Sequence, residues 1–333
     1  MTMTRRLAVV MDPIRSIKPY KDTTLALLLA ATRAGYALEY LELSDLWLRD
    51  GVAMGAARPL EVFDDPQHWF RLGEPRGRAL GEFDVILMRV DPPFDLEYVT
   101  ATWILERAEA AGALVVNRPQ ALRDCSEKLY TAWFADLTPP TLFSRDMTRL
   151  AAFHAEHGDV IYKPIDGMGG SGVFRIAADG MNLRGVIEQL TGGGRHTIVA
   201  QRYLPAISDG DKRLLMIDGE PLPHVLARIP QRGETRGNLA AGGHGEVRPL
   251  GAAERRIAER VGPELRRRGL LFVGLDVIGD RLTEINVTSP TCAREIAAAT
   301  GVDAADRLIT ALDRRLAARP AARLASVPAA PDT

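Results

Sequence analysis

The sequence predicts an α/β protein in two parts: an open, mostly parallel α/β layer over residues 1–122, then an α+β half over residues 123–316. Short apolar runs at 7–11, 37–43, 85–88 and 113–116 are interspersed with helical patterns at 22–34 and 97–111, the arrangement that builds a parallel sheet. After about residue 120, short strands and glycine-punctuated hairpins dominate, with helical stretches at 182–190 and 254–268. A chain of 333 residues also exceeds the roughly 100–200 residues of a typical domain, so a cleft between units is expected.

Hydrophobic residues make up 46% and charged residues 26%, a balance that folds. The net charge of -1 supplies no global field for nucleic acid or an anionic membrane. Cys125 and Cys292 match no disulfide framework or metal spacing and are read as reduced thiols. Asp12 and Pro13 cut off the first apolar run before a signal-peptide core forms, and no apolar stretch reaches membrane-spanning length, so a cytoplasmic location is expected.

Taken in order, the run at 7–11 is a strand and 22–34 a helix stopped by Gly35. The carboxyl ends of strands in such a layer gather ligands, and Asp12, Arg89, Asp91 and Asn117 fall there. Asp124-Cys125-Ser126-Glu127 reads as a capping box opening a helix that carries Lys128. Next, Gly167 to Gly172 matches G-x-G-x-x-G, but strand patterns at 159–163 and 173–176 flank it. A dinucleotide fold needs strand then helix. The segment is therefore a glycine hairpin, either merely flexible or lying over phosphates with its N–H groups unobstructed. Lys163 ends the strand leading into it, and lysine is scarce: Lys18, Lys21, Lys128, Lys163 and Lys212 are the only five among 42 basic residues.

The strand at 197–201 runs into Arg202-Tyr203-Leu204-Pro205, an edge suited either to an adenine or to ordinary packing. Residues 229–244 hold four glycines, Arg232 and Arg236, and form either a lid or a mobile surface loop. Residues 271–286 read as a hairpin around Gly279-Asp280, with Glu284 and Asn286 on one face, two oxygen donors suited to Mg²⁺. A two-residue turn sets Asp276 opposite Thr283; a three-residue connection sets it opposite Glu284, which a metal site requires. Residues 317–333 are rich in Ala, Pro and Arg and are expected to be a disordered tail.

Several stretches together resemble bacterial glutathione synthetase, an ATP-grasp enzyme, over about residues 7–316. They are 85–95, 161–170, 203–213, 226–243 and 272–290, the last ending Glu284-Ile285-Asn286-Val287-Thr288-Ser289-Pro290. The resemblance implies that the second half is an ATP-grasp fold with a glycine-rich lid. It implies a reaction joining γ-glutamylcysteine to glycine through an acyl phosphate, with ATP giving ADP and phosphate. By the same resemblance, Lys128, Lys163, Gly169, Gly170, Gln201, Tyr203, Leu204 and Asp211 bind ATP, and Asp276, Glu284 and Asn286 hold Mg²⁺, with Mn²⁺ as the alternative. Arg89, Arg213, Arg228, Thr288 and Ser289 are implied for the substrate carboxylates. Arg213 and Arg236 are implied in catalysis, Arg236 from the closing lid, and a homotetramer is expected. The competing readings are an ATP-grasp ligase of other amino acids or peptides, or a non-catalytic ATP-binding protein.

Overall fold

The computed structural model describes residues 4–231, 237 and 242–319. The first sheet uses β1 (Arg6–Met11), β2 (Ala37–Leu41), β3 (Leu46–Arg49), β4 (Val52–Val62), β5 (Phe70–Leu72), β6 (Arg76–Ala79), β7 (Val85–Arg89) and β8 (Leu114–Val116). Its order is β3-β4-β2-β1-β7-β8, with β5 and β6 also on β4. The β2-β1-β7-β8 portion is parallel, as expected. The strands between residues 46 and 79 pair antiparallel and extend the layer beyond the expectation.

Helix α1 (Thr23–Arg33) starts where the Asp22 carboxylate accepts the Leu25 N–H at 2.6 Å, which satisfies a donor without an intrahelical partner. Asp95 does the same for Tyr98 at the start of α2 (Leu96–Ala111), which ends at Gly112. Helix α3 (Pro119–Asp124) then corrects the capping-box expectation: the chain leaves α-helix before Cys125, and a 3₁₀ turn follows Lys128. Glu127 faces elsewhere. Its Oε1 accepts from Val287 N, Thr288 N and Thr288 Oγ1 at 2.9, 3.0 and 2.8 Å.

A four-stranded sheet follows, ordered β11-β10-β12-β9, from β9 (Thr141–Ser144), β10 (Val160–Pro164), β11 (Phe174–Ile176) and β12 (Ile198–Arg202). It packs with α4 (Met147–His157) and α5 (Leu183–Thr191) around a core of its own that includes Leu150, Tyr162, Ile187 and Ile198. The third sheet, β15-β14-β13-β16-β17, is antiparallel throughout. Its strands are β13 (Asp211–Ile217), β14 (Glu220–Ile229), β15 (His244–Pro249), β16 (Phe272–Ile278) and β17 (Arg281–Asn286), with α6 (Ala252–Arg268), α7 (Ala293–Thr300) and α8 (Ala304–Ala317).

Period-two alternation fuses the first and third sheets. Leu7 and Val9 of β1 join α1, α8, Leu215 and Ile217 in one core, while Ala8 and Val10 join α2, α6, Leu214 and Met216 in another. Asn117 stitches them. Its Nδ2 donates to Phe272 and Val287 carbonyls at 2.8 and 2.7 Å, and its Oδ1 accepts from Leu271 and Phe272 N–H at 2.8 and 3.0 Å. Its strand-end position, expected to face a ligand, serves instead as a buried clamp between sheets. Asn117→Ala is expected to cost about 3 kcal/mol or more in denaturant unfolding, because it leaves several buried backbone groups without partners; a loss below about 1 kcal/mol would show that the clamp is not needed.

Among the described residues, no helix is long and apolar enough to cross a membrane. Ala317 ends α8, and Arg319 donates to the Gly112 carbonyl at 2.7 Å, so the expected tail begins in ordered chain. Residues 320–333 of that tail lie outside the described residues.

Candidate active site

A cleft lies between the four-stranded and third sheets. Lys163, Gln201, Tyr203 and Leu204 reach it from the ends of β10 and β12; Asp211, Asp276 and Glu284 reach it from β13, β16 and β17. The loop joining β10 to β11 is the expected glycine hairpin, with Tyr162 paired to Phe174 across it. Gly169 and Gly170 take φ of +62° and +83°, a region L side chains rarely enter.

The two lysines of this cleft converge on one carboxylate. Lys163 Nζ donates to Glu284 Oε1 at 3.1 Å, and Lys128 Nζ lies 3.9 Å from the same oxygen. Burial would raise the Glu284 pKa, but the Lys128 and then the Lys163 ammonium hold it below the usual carboxylate range. Lys128 also donates to the carbonyls of Ile165 and Gly167, bracing the glycine loop from beneath. The Gln201 amide donates to Thr141 Oγ1 at 3.0 Å, and the Tyr203 ring lies under the Arg175 guanidinium, 3.7 Å from its centroid.

The hairpin register combines both alternatives. Ile278 pairs with Arg281, so the turn is the two-residue Gly279-Asp280, yet Asp276 pairs with Glu284 because β17 carries a bulge between them. Thr283 is the extra residue, and its Oγ1 donates to the Asp276 carbonyl at 3.1 Å. Asn286 pairs with Gly274, and its Nδ2 donates to the Gly274 carbonyl at 3.2 Å. Among the described residues, no group of three or more His, Cys, Asp or Glu side chains is arranged to hold a metal. The expected set, two carboxylates and an amide, is of a different composition.

Asp276 sits between two buried arginines. Arg213 Nε and Nη2 donate to its two oxygens at 2.6 and 3.2 Å, and Arg228 Nη2 lies 3.0 Å from Oδ2. Burial opposes ionisation of Asp276, but the Arg213 and Arg228 charges outweigh it and keep its pKa well below the usual range. Arg228 also donates to Asp211 Oδ2 at 2.6 Å, whereas burial holds the Asp211 carboxyl above its ordinary value and leaves Oδ1 without a partner. Gly274 makes room for this cluster: a Cβ there would lie 3.0 Å from Arg213 Cδ.

A second cleft opens between the carboxyl ends of β1 and β7 and the segment after β17. Arg89, Arg213, Arg228, Asn286, Thr288 and Ser289 line it, and Met168 and Gly169 border both clefts. Arg89 is buried, donating from Nε to Thr24 Oγ1 at 3.1 Å and from Nη2 to the Pro290 carbonyl at 2.9 Å. Asp12 and Asp91 also line it, with Asp12 Oδ2 accepting the Asp91 N–H at 2.9 Å.

Glu127, read from the sequence as part of a capping box, Lys18 and Lys21, noted only as scarce lysines, and Glu295, not singled out, all line the second cleft. Lysine scarcity was the available signal: four of the five lysines line the two clefts, and the fifth, Lys212, binds Glu254 and the Gly279 carbonyl. Cys125 and Cys292 are buried free thiols. Of the lid segment, Ile229 ends β14 opposite His244 of β15 and Gly237 borders the first cleft; Arg232 and Arg236 lie outside the described residues.

Two family models divide the chain between them: prokaryotic glutathione synthetase, N-terminal domain, over residues 5–123, and prokaryotic glutathione synthetase, ATP-grasp domain, over residues 127–301. A glutathione synthetase of Pseudomonas putida is 59% identical over 317 residues, covering 95% of this chain and all of that protein. One from Shewanella oneidensis is 56% identical over 311 residues, covering 93% of this chain and 99% of that protein. Among solved structures, the D-cycloserine synthetase DcsG superposes with a TM-score of 0.67 at 18% identity, covering 93% of this chain and 99% of that one, a likeness of fold. With both halves matched in order and relatives aligned nearly end to end, the chain belongs to the prokaryotic glutathione synthetase family.

Proposed function

We propose that this chain is an ATP-dependent peptide ligase that joins γ-glutamylcysteine to glycine, yielding glutathione, ADP and phosphate. The observation that carries the reading is the junction of the two clefts, where phosphate-type lysines, metal-type oxygens and carboxylate-type arginines meet under one glycine loop. A carboxylate is a poor electrophile, so the γ-phosphoryl group of ATP must first pass to it, forming an acyl phosphate that the glycine amine then attacks, releasing phosphate.

In this reading Lys128 and Lys163 hold the nucleotide phosphates, and Gly169 and Gly170 approach them through the backbone. Gln201, Tyr203 and Leu204 border the base, and Asp211 lies at the nucleotide. Asp276, Glu284 and Asn286 are hard oxygen donors suited to Mg²⁺, with Mn²⁺ as the alternative. When bound, the cation offsets phosphate charge. Lys163 would then exchange Glu284 for phosphate. Arg213 reaches from Asp276 to the second cleft, where its guanidinium would stabilise the oxyanion formed as the amine attacks. Arg89, Arg228, Thr288 and Ser289 would orient substrate carboxylates, and Arg236 would act from the lid, which excludes water.

The division into domains at 1–122 and 123–316, a homotetramer and a cytoplasmic location belong to the same proposal. Light scattering of the purified protein, giving four times the mass of one chain, would support the tetramer; any other mass would refute it.

Product analysis with ATP, Mg²⁺, γ-glutamylcysteine and glycine tests the function: glutathione and ADP are expected in equal amounts, and their absence from a folded preparation would refute it. Lys163→Met is expected to weaken nucleotide binding about 10- to 100-fold in calorimetry, the effect of losing a charged hydrogen bond. Unchanged affinity would remove Lys163 from the phosphate site.

A further inference from the structure

In the glycine loop, residues 167–172, only Met168 and Ser171 carry side chains, and Met168 is 48% exposed where the loop borders both clefts. The backbone around it is held. Lys128 Nζ donates to the Gly167 carbonyl, the Ser171 N–H donates to the Met168 carbonyl at 3.1 Å, and Gly169 and Gly170 turn the chain at positive φ. Both ends of the loop rest on Pro164: a Cβ at Gly167 would lie 2.7 Å from its Cγ, and one at Gly172 3.2 Å from its Cδ. The Met168 thioether is thereby kept at the junction of the clefts while it stays open to solvent.

The other sulfur atoms of the described residues are placed differently. Met11, Met88 and Met216 are buried and Met54 is half-buried. Met147, which opens α4, and Met181, just before α5, are exposed, but neither lines either cleft. Cys125 and Cys292 are buried thiols, and burial raises the pKa of each, leaving little of the thiolate that oxidants attack. A thioether needs no ionisation to be oxidised, only access.

We propose that Met168 is an oxidation site through which hydrogen peroxide weakens nucleotide binding and so slows the enzyme. The Met168 sulfur attacks one peroxide oxygen; an S–O bond forms as the O–O bond breaks, sulfur gives up two electrons, and the second oxygen leaves as water. The product sulfoxide turns a flexible apolar side chain into a polar one whose oxygen carries partial negative charge. That oxygen is carried by the loop that, in the ligase reading on which the consequence rests, lies over the phosphates of ATP. A negative dipole end beside phosphate is repulsive, and the pinned backbone limits how far the loop can turn it away.

The experiment treats the full-length enzyme, free of substrates, with hydrogen peroxide, then follows sulfoxide at Met147, Met168 and Met181 by peptide mass mapping and the affinity for Mg-ADP by calorimetry. Affinity is expected to fall about tenfold in step with sulfoxide at Met168, the size of one polar contact turned from favourable to unfavourable, and KM for ATP to rise alike. Mg-ADP present during the treatment is expected to slow oxidation of Met168 while Met147 and Met181 react as before. Met168→Leu, a swap of similar volume, is expected to keep its own starting affinity under the same treatment. Methionine sulfoxide reductase, but not dithiothreitol, is expected to restore the wild type. Oxidation of Met147 and Met181 with Met168 spared, sulfoxide at Met168 with unchanged affinity, an equal loss in Met168→Leu, or recovery with dithiothreitol, which would point to a cysteine, each overturns the proposal. Untreated, folded enzyme that binds Mg-ADP but makes no glutathione would sink the ligase reading instead, and the affinity measurements would still decide the oxidation site.

Discussion

Glu284→Gln is expected to lower kcat by about 10³-fold, the scale of removing one preorganised electrostatic group from a phosphoryl-transfer site. Glu284 is where the first cleft concentrates its charge: Lys163 and Lys128 converge on one of its oxygens, and Asp276 stands opposite on β16. Glutamine keeps the shape and a hydrogen-bond acceptor for Lys163 but gives up the anion a divalent cation requires. The fold should tolerate the change, because the side chain is partly open to the cleft and both lysines can reach water or phosphate. Steady-state kinetics at saturating ATP, beside a thermal melt, separates the two effects. Activity within tenfold of wild type would remove Glu284 from the metal set.

Asp276→Asn is expected to cost both stability and activity, about 3–5 kcal/mol in denaturant unfolding, as when one partner of a buried ion pair is removed. Arg213 and Arg228 both rest on this carboxylate, and all three residues are buried. Without the anion, the buried Arg213 guanidinium loses its carboxylate and the contact that aims it at the second cleft, and Arg228 keeps only Asp211.

The pH dependence has a definite sign. The folded-state pKa of Asp276 is depressed, so its stabilisation is fully present above the ordinary carboxylate range and lost as pH falls through the lower folded value. The difference in stability between wild type and Asp276→Asn should therefore hold from neutral pH to about 4 and shrink only in stronger acid. A difference that disappears near pH 6 would contradict the ion-pair account.

The bulge at Thr283 shows where sequence reasoning stops. The turn residues and the alternation of Leu282, Glu284 and Asn286 were legible, because both are local. The extra residue was not, because its partners are remote: Leu282 N donates to the Leu137 carbonyl and Ile285 N to the Glu127 carbonyl, both at 2.9 Å. Asn117 was flagged by its strand-end position, but its role depended on a strand some 155 residues away in the chain. Strand β4 was passed over because many of its buried positions are alanine or glycine, which carry little apolar signal.

By itself the sequence determined the parallel layer, the glycine hairpin, the spacing of Glu284 and Asn286, and the scarcity of lysine. These are properties of neighbouring residues and of composition. Tertiary structure alone decided that Asp276 faces Glu284 and that Arg213 and Arg228 share that buried aspartate, with Asp211 as the second partner of Arg228. Such pairings depend on packing between sheets far apart in the chain, where the cost of burying a charge selects its partner.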